Sequence, residues 1–288
     1  MANETIEDQR ERDYQVHVEI ADKIAPTWEK RRAEIEEVAA PVRQWMLREL
    51  DPQQGDTVLE LAAGVGDTGF EAAAVIGGSG RVITSDFSPA MLDAARRRGA
   101  ELGLGNVDYR VINAEHIPLD DDSVDGVLCR FGYMLMPDPA AAFAETRRVL
   151  RLGGRVALAV WGAMEHNPWI AIAGISLGQR GHIPHPPPPP APGPFSMASA
   201  ERVEDLLRDA GFTETRVEEA HGRFAIADAD DYLGLIGDTA GPVGLALQGL
   251  GDHDRAAVRG DVEDALRRFA VDSGGYELPC VALCAVAN

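Results

Sequence analysis

Glycines at positions 64, 66 and 69 stand between the apolar run Thr57–Leu61 and a helix expected from about Gly69 to Val75. Glycine lets a backbone come close to a ligand, and the first turn of a helix carries N–H groups without partners of their own. A strand, a glycine turn and a helix start in that order make a cradle for a nucleotide-like ligand. The three glycines satisfy the dinucleotide spacing GxGxxG, which alone does not say which nucleotide. A carboxylate completes the pattern. The run Arg81–Asp86 ends in an acid followed by Phe87-Ser88-Pro89, so Asp86 falls beside the glycine turn, where it can accept both hydroxyls of a ribose. Ser88 before Pro89 is the better helix cap of the two.

The elements that would position these groups alternate along the chain. Strands are expected over Thr57–Leu61, Arg81–Asp86, Val107–Ile112, Val124–Cys129 and Arg155–Trp161, with helices over Pro89–Leu102 and Pro139–Arg151. Strands alternating with helices imply right-handed crossovers and a parallel sheet covered on both faces. Residues 1–20 are highly charged and expected to be mobile. A helical pattern starts near Pro26, with Pro41 at a helix start and Val42, Trp45, Met46 and Leu50 at helical spacing. Beyond Trp161, Asn167 and Pro168 read as the cap and first residue of a helix that runs into a proline-rich loop over 182–194. Its five consecutive prolines, Pro186 to Pro190, favour an extended, stiff connector. A helix over Ala200–Ala210 stops at Gly211, a strand follows over Thr215–Ile226, residues 228–272 are helical again, and Tyr276–Val286 is a closing apolar strand. The last two strands, joined by a helical insertion, can pair antiparallel at one edge. The expected fold is therefore α/β, a Rossmann-like doubly wound sheet, mostly parallel with an antiparallel terminal strand pair. Residues 1–50 form an N-terminal helical segment or lid, and residues 51–288 the core with the loop 182–194 and the insertion 228–272.

The 27 Lys and Arg residues against 47 Asp and Glu give a net charge of −20, which repels phosphate backbones and anionic membrane surfaces. Nucleic acid is excluded as an expected partner. No apolar run approaches the length of a membrane span, and the opening MANETIEDQRERDY is too polar for a signal peptide, so a cytoplasmic protein is expected. Cys129, Cys280 and Cys284 sit in apolar runs and read as buried thiols; without paired CxxC knuckles no metal is expected.

Four segments, VLELAAGVGDTG, TSDFSPAML, NAEHIPLDDDSVDGVLCRFGYMLMPDP and LRLGGRVALAVWG, follow in order between Val58 and Gly162, within a likeness that runs over roughly residues 40–162. Together they resemble the class I S-adenosylmethionine (SAM) dependent methyltransferases, within them the ubiquinone/menaquinone-biosynthesis-like group of small-molecule enzymes. The resemblance implies a seven-stranded sheet, SAM as cofactor and a small-molecule methyl acceptor. Carried over by position, it assigns the cofactor to Glu60, to Gly64 and Gly66 with Ala62 in place of the family's first glycine, and to Asp86 for the ribose. Phe87 and Met91 become apolar neighbours of adenine. Asn113, Ala114 and Glu115 fall at its edge, with Asn113 replacing the usual aspartate and still able to accept from an exocyclic amine. Arg130, with Cys129, falls beside the methionine part and the acceptor, although Arg130 can equally pair with a carboxylate. Cys129-Arg130-Phe131-Gly132-Tyr133 occupies the place where nucleotide-base methyltransferases carry Asn/Asp-Pro-Pro-aromatic, which argues against that class.

In-line methyl transfer needs alignment of donor and acceptor and no covalent intermediate. Candidates for a general base near the ends of the fourth and fifth strands are His166, Tyr133 and, on the proline-rich loop, His182 and His185. Trp28, Trp161 and Trp169 are candidates to line an acceptor pocket, and His116 to stack near adenine. Two other readings stay open: a Rossmann-type NAD-dependent oxidoreductase, which rests on GxGxxG and Asp86, and a SAM-binding module without turnover.

Overall fold

Runs of aliphatic residues buried on both sides build the centre of the sheet, which is what parallel strands covered by helices require. The computed structural model describes residues 6–184 and 191–288, without the side chains of residues 6–11 and 13. The strands are β1 (Thr57–Leu61), β2 (Arg81–Asp86), β3 (Val107–Val111), β4 (Val124–Arg130), β5 (Leu150–Trp161), β6 (Arg216–Ile226) and β7 (Tyr276–Ala287). They form one sheet in the order β3-β2-β1-β4-β5-β7-β6. Strands β1 to β5 run parallel, and β7 lies antiparallel between β5 and β6. The helices are α1 (Ile6–Leu50), α2 (Asp67–Ile76), α3 (Pro89–Glu101), α4 (Pro139–Val149), α5 (Pro168–Gln179), α6 (Ala200–Asp209), α7 (Ala229–Thr239), α8 (Gly241–Gln248) and α9 (Asp252–Leu266). Strand order reverses between β1 and β4, so the crevice outside their C-terminal ends is where such a sheet holds a ligand.

The N-terminal region differs from the expectation of a mobile segment over 1–20, a helical pattern from about Pro26 and a helix start at Pro41. It is a single α1 of 45 residues that passes through Pro26 and Pro41. Each proline forfeits one helical bond, to the carbonyls of Asp22 and Glu37. Packing along the helix outweighs that loss. Val42, Trp45, Met46 and Leu50 are buried in the main core. Leu50 comes so close to β4 that a Cβ on Gly126 would lie 3.0 Å from its Cδ1, and the bare backbone there is what admits the helix.

Other boundaries moved by smaller amounts. Helix α2 starts at Asp67, before Gly69, and α4 yields to β5 at Leu150, which already pairs with Val124. The helical stretch 228–272 divides into α7, α8 and α9 plus a 3-10 turn, Arg267–Phe269. Pro186 to Pro190 and His185 lie outside the described residues. Among the described residues no helix is long and apolar enough to cross a membrane.

Asn167 takes the N-cap position before Pro168, as its place suggests, but its side chain makes no capping bond on α5. Where the β5–β7 ladder ends at Trp161, its amide carries the pairing on. Nδ2 donates to the carbonyls of Gly162 (3.2 Å), Ala163 (3.1 Å) and Val281 (3.0 Å), and Oδ1 accepts from the Val281 N–H (3.0 Å). The side chain is fully buried, so its loss orphans groups that water does not reach. Asn167→Ala is expected to lower stability by about 2–4 kcal/mol in urea denaturation.

Candidate functional site

Strand β1 ends in a turn where Ala62, Gly64 and Gly66 all take left-handed backbone angles, with φ of 50°, 55° and 89°. A Cβ on Gly66 would come within 2.5 Å of the Phe70 ring, whereas one on Gly64 would meet nothing within 4 Å. Gly64 thus faces open space in a conformation that costs an L-residue about 1–2 kcal/mol. The Ala63 N–H donates to the Ser85 carbonyl at 2.9 Å, which ties the turn to β2.

Two buried carboxyl groups hold this turn. Glu60 accepts from the Gly69 N–H at 2.7 Å through Oε1 and from the Thr84 hydroxyl at 3.3 Å through Oε2. Its carboxyl fills the space a Cβ on Gly69 would need, so both residue types are required together. Burial pushes Glu60 up to about 8, so it is protonated at neutral pH. With both oxygens engaged inside the protein, Glu60 fixes α2 on β1 from beneath the turn. Asp86 accepts from the Gly64 N–H through Oδ2 and from the Ser88 N–H through Oδ1, each at 2.9 Å. Burial raises it to about 6 against the opposing pull of these N–H groups. Its oxygens retain lone pairs for further donors. Ser88 caps α3 as expected, accepting from the Met91 N–H at 3.1 Å.

Helix α1 lies over this turn. Ile24, Ala25 and Trp28 pack with Val65, Ala90, Met91 and Ala94, and the Tyr14 ring stands 6.1 Å from that of Phe87. The Ser88 hydroxyl donates to Asp22 Oδ1 at 2.5 Å. Trp28 does not line a pocket by its indole N–H, which donates to the Thr239 carbonyl at 3.0 Å at the end of α7. Thr27 Oγ1 donates to the Asp238 carbonyl at 2.6 Å, and Arg31 pairs with the Asp238 carboxylate at 2.9 Å.

The other expected residues divide. Asn113 Oδ1 accepts from the Glu115 N–H at 2.9 Å, so the oxygen expected to meet an exocyclic amine already closes a local turn. Glu115 turns to the start of α4 and accepts from the Asp138 N–H at 2.9 Å; Ala114 is buried between them. Arg130 pairs with Glu36 of α1 at 2.5 Å and donates through Nε to Thr68 Oγ1 at 2.9 Å. Its partner is a nearly buried carboxylate of α1, not one of the surface acids.

Tyr133 is removed as a base. It is fully buried, stacks on Phe143 at 4.1 Å, bonds Thr146 Oγ1 at 2.6 Å, and burial holds its phenol well above the usual value. His166 is exposed and lines a cleft of about 340 Å³ with Ser199, Glu219 and Val281, beside β6 and β7 rather than beside the glycine turn. His182 stands 4.0 Å from Asp254 of α9. Trp161 and Trp169 belong to an aromatic row: Phe131 stacks on Trp161 at 3.9 Å, Trp161 meets Trp169 at 5.1 Å, and Trp169 stacks on Phe224 at 4.4 Å. Phe131 carries a left-handed φ of 62° at the end of β4, a conformation that bulky residues hold only where the surroundings impose it. The three cysteines are buried, and burial pushes Cys129 up to about 12, which keeps it a thiol.

Three residues at the cleft escaped the sequence reading. Asp67 pairs with Arg32 of α1 at 2.9 Å, and Glu36 supplies the partner of Arg130. An acid in the first turn after the glycines was a visible signal for Asp67. Nothing local marks Arg32 and Glu36, which meet their partners only through the fold.

Residues 39–167 match the model of the ubiE/COQ5 methyltransferase family. The chain is 40% identical over 104 residues to an arsenite methyltransferase of Halobacterium salinarum, covering 36% of this chain and 27% of that protein. It is 36% identical over 116 residues to the ubiquinone/menaquinone biosynthesis C-methyltransferase UbiE of Pseudoalteromonas translucida, covering 40% of this chain and 46% of that protein. The matched region therefore spans less than half the length of these relatives. The crystal structure of a SAM dependent methyltransferase from Aquifex aeolicus superposes with a TM-score of 0.50 at 25% identity, covering 69% of this chain and 89% of that one.

The raised Glu60 carries a sign that can be measured. Below its ordinary 4.5 it is protonated whether the chain is folded or not, and its contribution to stability is fully present; that contribution is lost as pH rises to about 8. Glu60→Gln keeps an acceptor for Gly69 and never ionises. In urea denaturation at a series of pH values, the substitution is expected to flatten the decline across this window by up to about 1 kcal/mol per pH unit.

Proposed function

We propose that this chain, a class I SAM-dependent methyltransferase of the UbiE-like group over residues 39–167, moves the methyl group of SAM onto a small-molecule acceptor. The observation that carries this reading is the bond between Asp86 and the Gly64 N–H. It joins the ribose-binding acid to the glycine turn at the point where the strand order reverses. The residues present fit the cofactor. Gly64 offers open backbone, and Asp86 keeps acceptor capacity for two hydroxyls. Phe87 and Met91 give an apolar side for adenine, and the turn 113–115 an edge. When bound, SAM supplies a methyl group on a sulfonium, ready for in-line displacement.

What the chain contributes is alignment and the exclusion of water, an effect worth several kcal/mol in general. Ile24, Ala25 and Trp28 of α1 form an apolar cover over the turn. Because α1 is bonded to the end of α7 through Thr27, Trp28 and Arg31, the N-terminal helix and the insertion 228–272 act as one lid. The acceptor side lies at the ends of β4 and β5, by Phe131 and Trp161. The excess of carboxylates favours a small molecule over a nucleic acid.

Titration of the full chain with SAM and with NADH, followed by an acceptor screen with methyl-labelled SAM, tests the reading. Saturable SAM binding and label transfer are expected; NADH binding without SAM binding would overturn it. Asp86→Asn is expected to weaken SAM by about 1–3 kcal/mol through loss of charge-assisted bonds. Since Asp86 ionises near 6, affinity in the unaltered chain should rise between pH 5 and 7. A flat profile with unchanged affinity in the variant would take Asp86 out of the site.

A further inference from the structure

A crossover between parallel strands is usually a helix, whose own backbone bonds fix its shape. The crossover from β3 to β4, residues 112–123, is a run of turns and bends, so its course must be set by bonds to other parts of the chain. Helix α4 sets it at both ends. At the start of α4, the Asp138 N–H donates to Glu115 Oε1 at 2.9 Å. In its last turns, Glu145 and Arg148 hold the rest. Arg148 donates through Nη2 to the Ile117 carbonyl at 2.7 Å, and through Nη1 to the Leu119 carbonyl at 2.8 Å and Asp121 Oδ1 at 2.7 Å. Its Nε and Nη2 donate to the two Glu145 carboxylate oxygens, each at 2.7 Å. Together these bonds engage all five N–H groups of the guanidinium. Glu145 Oε2 also accepts from the Ile117 N–H at 2.8 Å. The seam continues through the backbone, where the N–H groups of Asp122 and Ser123 donate to the carbonyls of Arg148 (3.0 Å) and Val149 (2.8 Å).

We infer that the Glu145–Arg148 pair is the positioning element of the base-side wall of the donor cleft, and so sets the preference for a 6-aminopurine over a 6-oxopurine. The inference rests on the SAM reading above and extends it to α4. The pair acts through the turn 113–116, which lies between its anchor at Ile117 and the one at Glu115. That turn closes on itself: Asn113 Oδ1 accepts from the Glu115 N–H, and the His116 N–H donates to the Asn113 carbonyl, both at 2.9 Å. With the Asn113 oxygen so engaged, the turn presents a backbone edge, and such an edge reads a base only as well as it is aimed. Burial of the Ile117 side chain in the main core fixes a place but no direction. The bonds to both its N–H and its carbonyl supply the direction. Arg148 holds the Glu145 carboxyl below its ordinary value, so both groups stay charged at neutral pH and the bonds are of the strong, charge-assisted kind. The two side chains keep 21% and 31% of their exposure, so water replaces their bonds when either is altered and the fold persists.

A ligand pair that differs only at the base edge separates aiming of the turn from mere support of the fold. Adenine accepts at N1 and donates from its 6-amine, whereas hypoxanthine donates at N1 and accepts at its 6-oxygen, so an edge set for the first opposes the second. In calorimetric titrations of the full chain, S-adenosylhomocysteine is expected to bind about tenfold or more tighter than S-inosylhomocysteine. In Arg148→Gln, and in the milder Glu145→Gln, that preference should fall to about threefold or less. The fall should come from weaker binding of S-adenosylhomocysteine, with S-inosylhomocysteine within about twofold of its value in the unaltered chain. Equal losses for the two ligands would mean that the pair only braces the crossover and would overturn the inference, as would a preference unchanged in both variants. An unaltered chain that binds the two ligands alike overturns this inference alone. If the unaltered chain binds neither, the SAM reading itself fails and takes this one with it.

Discussion

The bond from the Gly69 N–H to the buried Glu60 carboxyl decides where α2 begins, and the geometry of the cleft follows from that point. Because α2 is pinned to β1 there, the chain must reverse within the five residues 62–66 and does so through three left-handed positions. That reversal aims the Gly64 N–H at Asp86, and Asp86 in turn anchors the start of α3 through Ser88. A single desolvated acid thus sets the relative placement of β1, β2 and the two helices that follow them. Its protonation at neutral pH removes a buried negative charge beside Asp67.

Helix α1 has a second organising role. It touches the start of α3 through Asp22, the end of α7 through Thr27, Trp28 and Arg31, and the end of β4 through Glu36. Those contacts reach three different elements of the molecule. They explain how a helix interrupted by two prolines persists: each forfeited backbone bond is a small loss beside the tertiary contacts on either side of it.

Much of this was legible in the order of the residues. The alternation of strands and helices, the turn at 64–66 and the acid closing β2 are local patterns, and their period and spacing survive folding unchanged. What was not legible depended on distant partners. Proline normally punctuates a helix, so Pro41 reads as a start, and only burial of Trp45 and Met46 against the sheet overrides it. Asn-Pro does open α5, but where the Asn167 side chain bonds was not legible, because its partner Val281 arrives 114 residues later. Tyr133 stands in a chemically suggestive place after β4 and is withdrawn from it by Phe143 and Thr146 of α4. Arg130 could be placed beside the cleft but not paired, because Glu36 stands 94 residues away in sequence.

Strands β6 and β7 pair in continuous register from Arg216 with Val286 to Ile226 with Tyr276. The helices α7, α8 and α9 leave the sheet at Ile226 and rejoin it at Tyr276, directly opposite. Topologically they are the loop of a hairpin, however elaborate. The entropy of closing such a loop grows only with the logarithm of its length, so residues can be gained or lost there at little cost to the strands. The family-matched segment ends at residue 167, before this excursion begins. Helices α7, α8 and α9 are therefore an excursion carried on one hairpin, and a change in its length leaves the pairing of β6 with β7 in place.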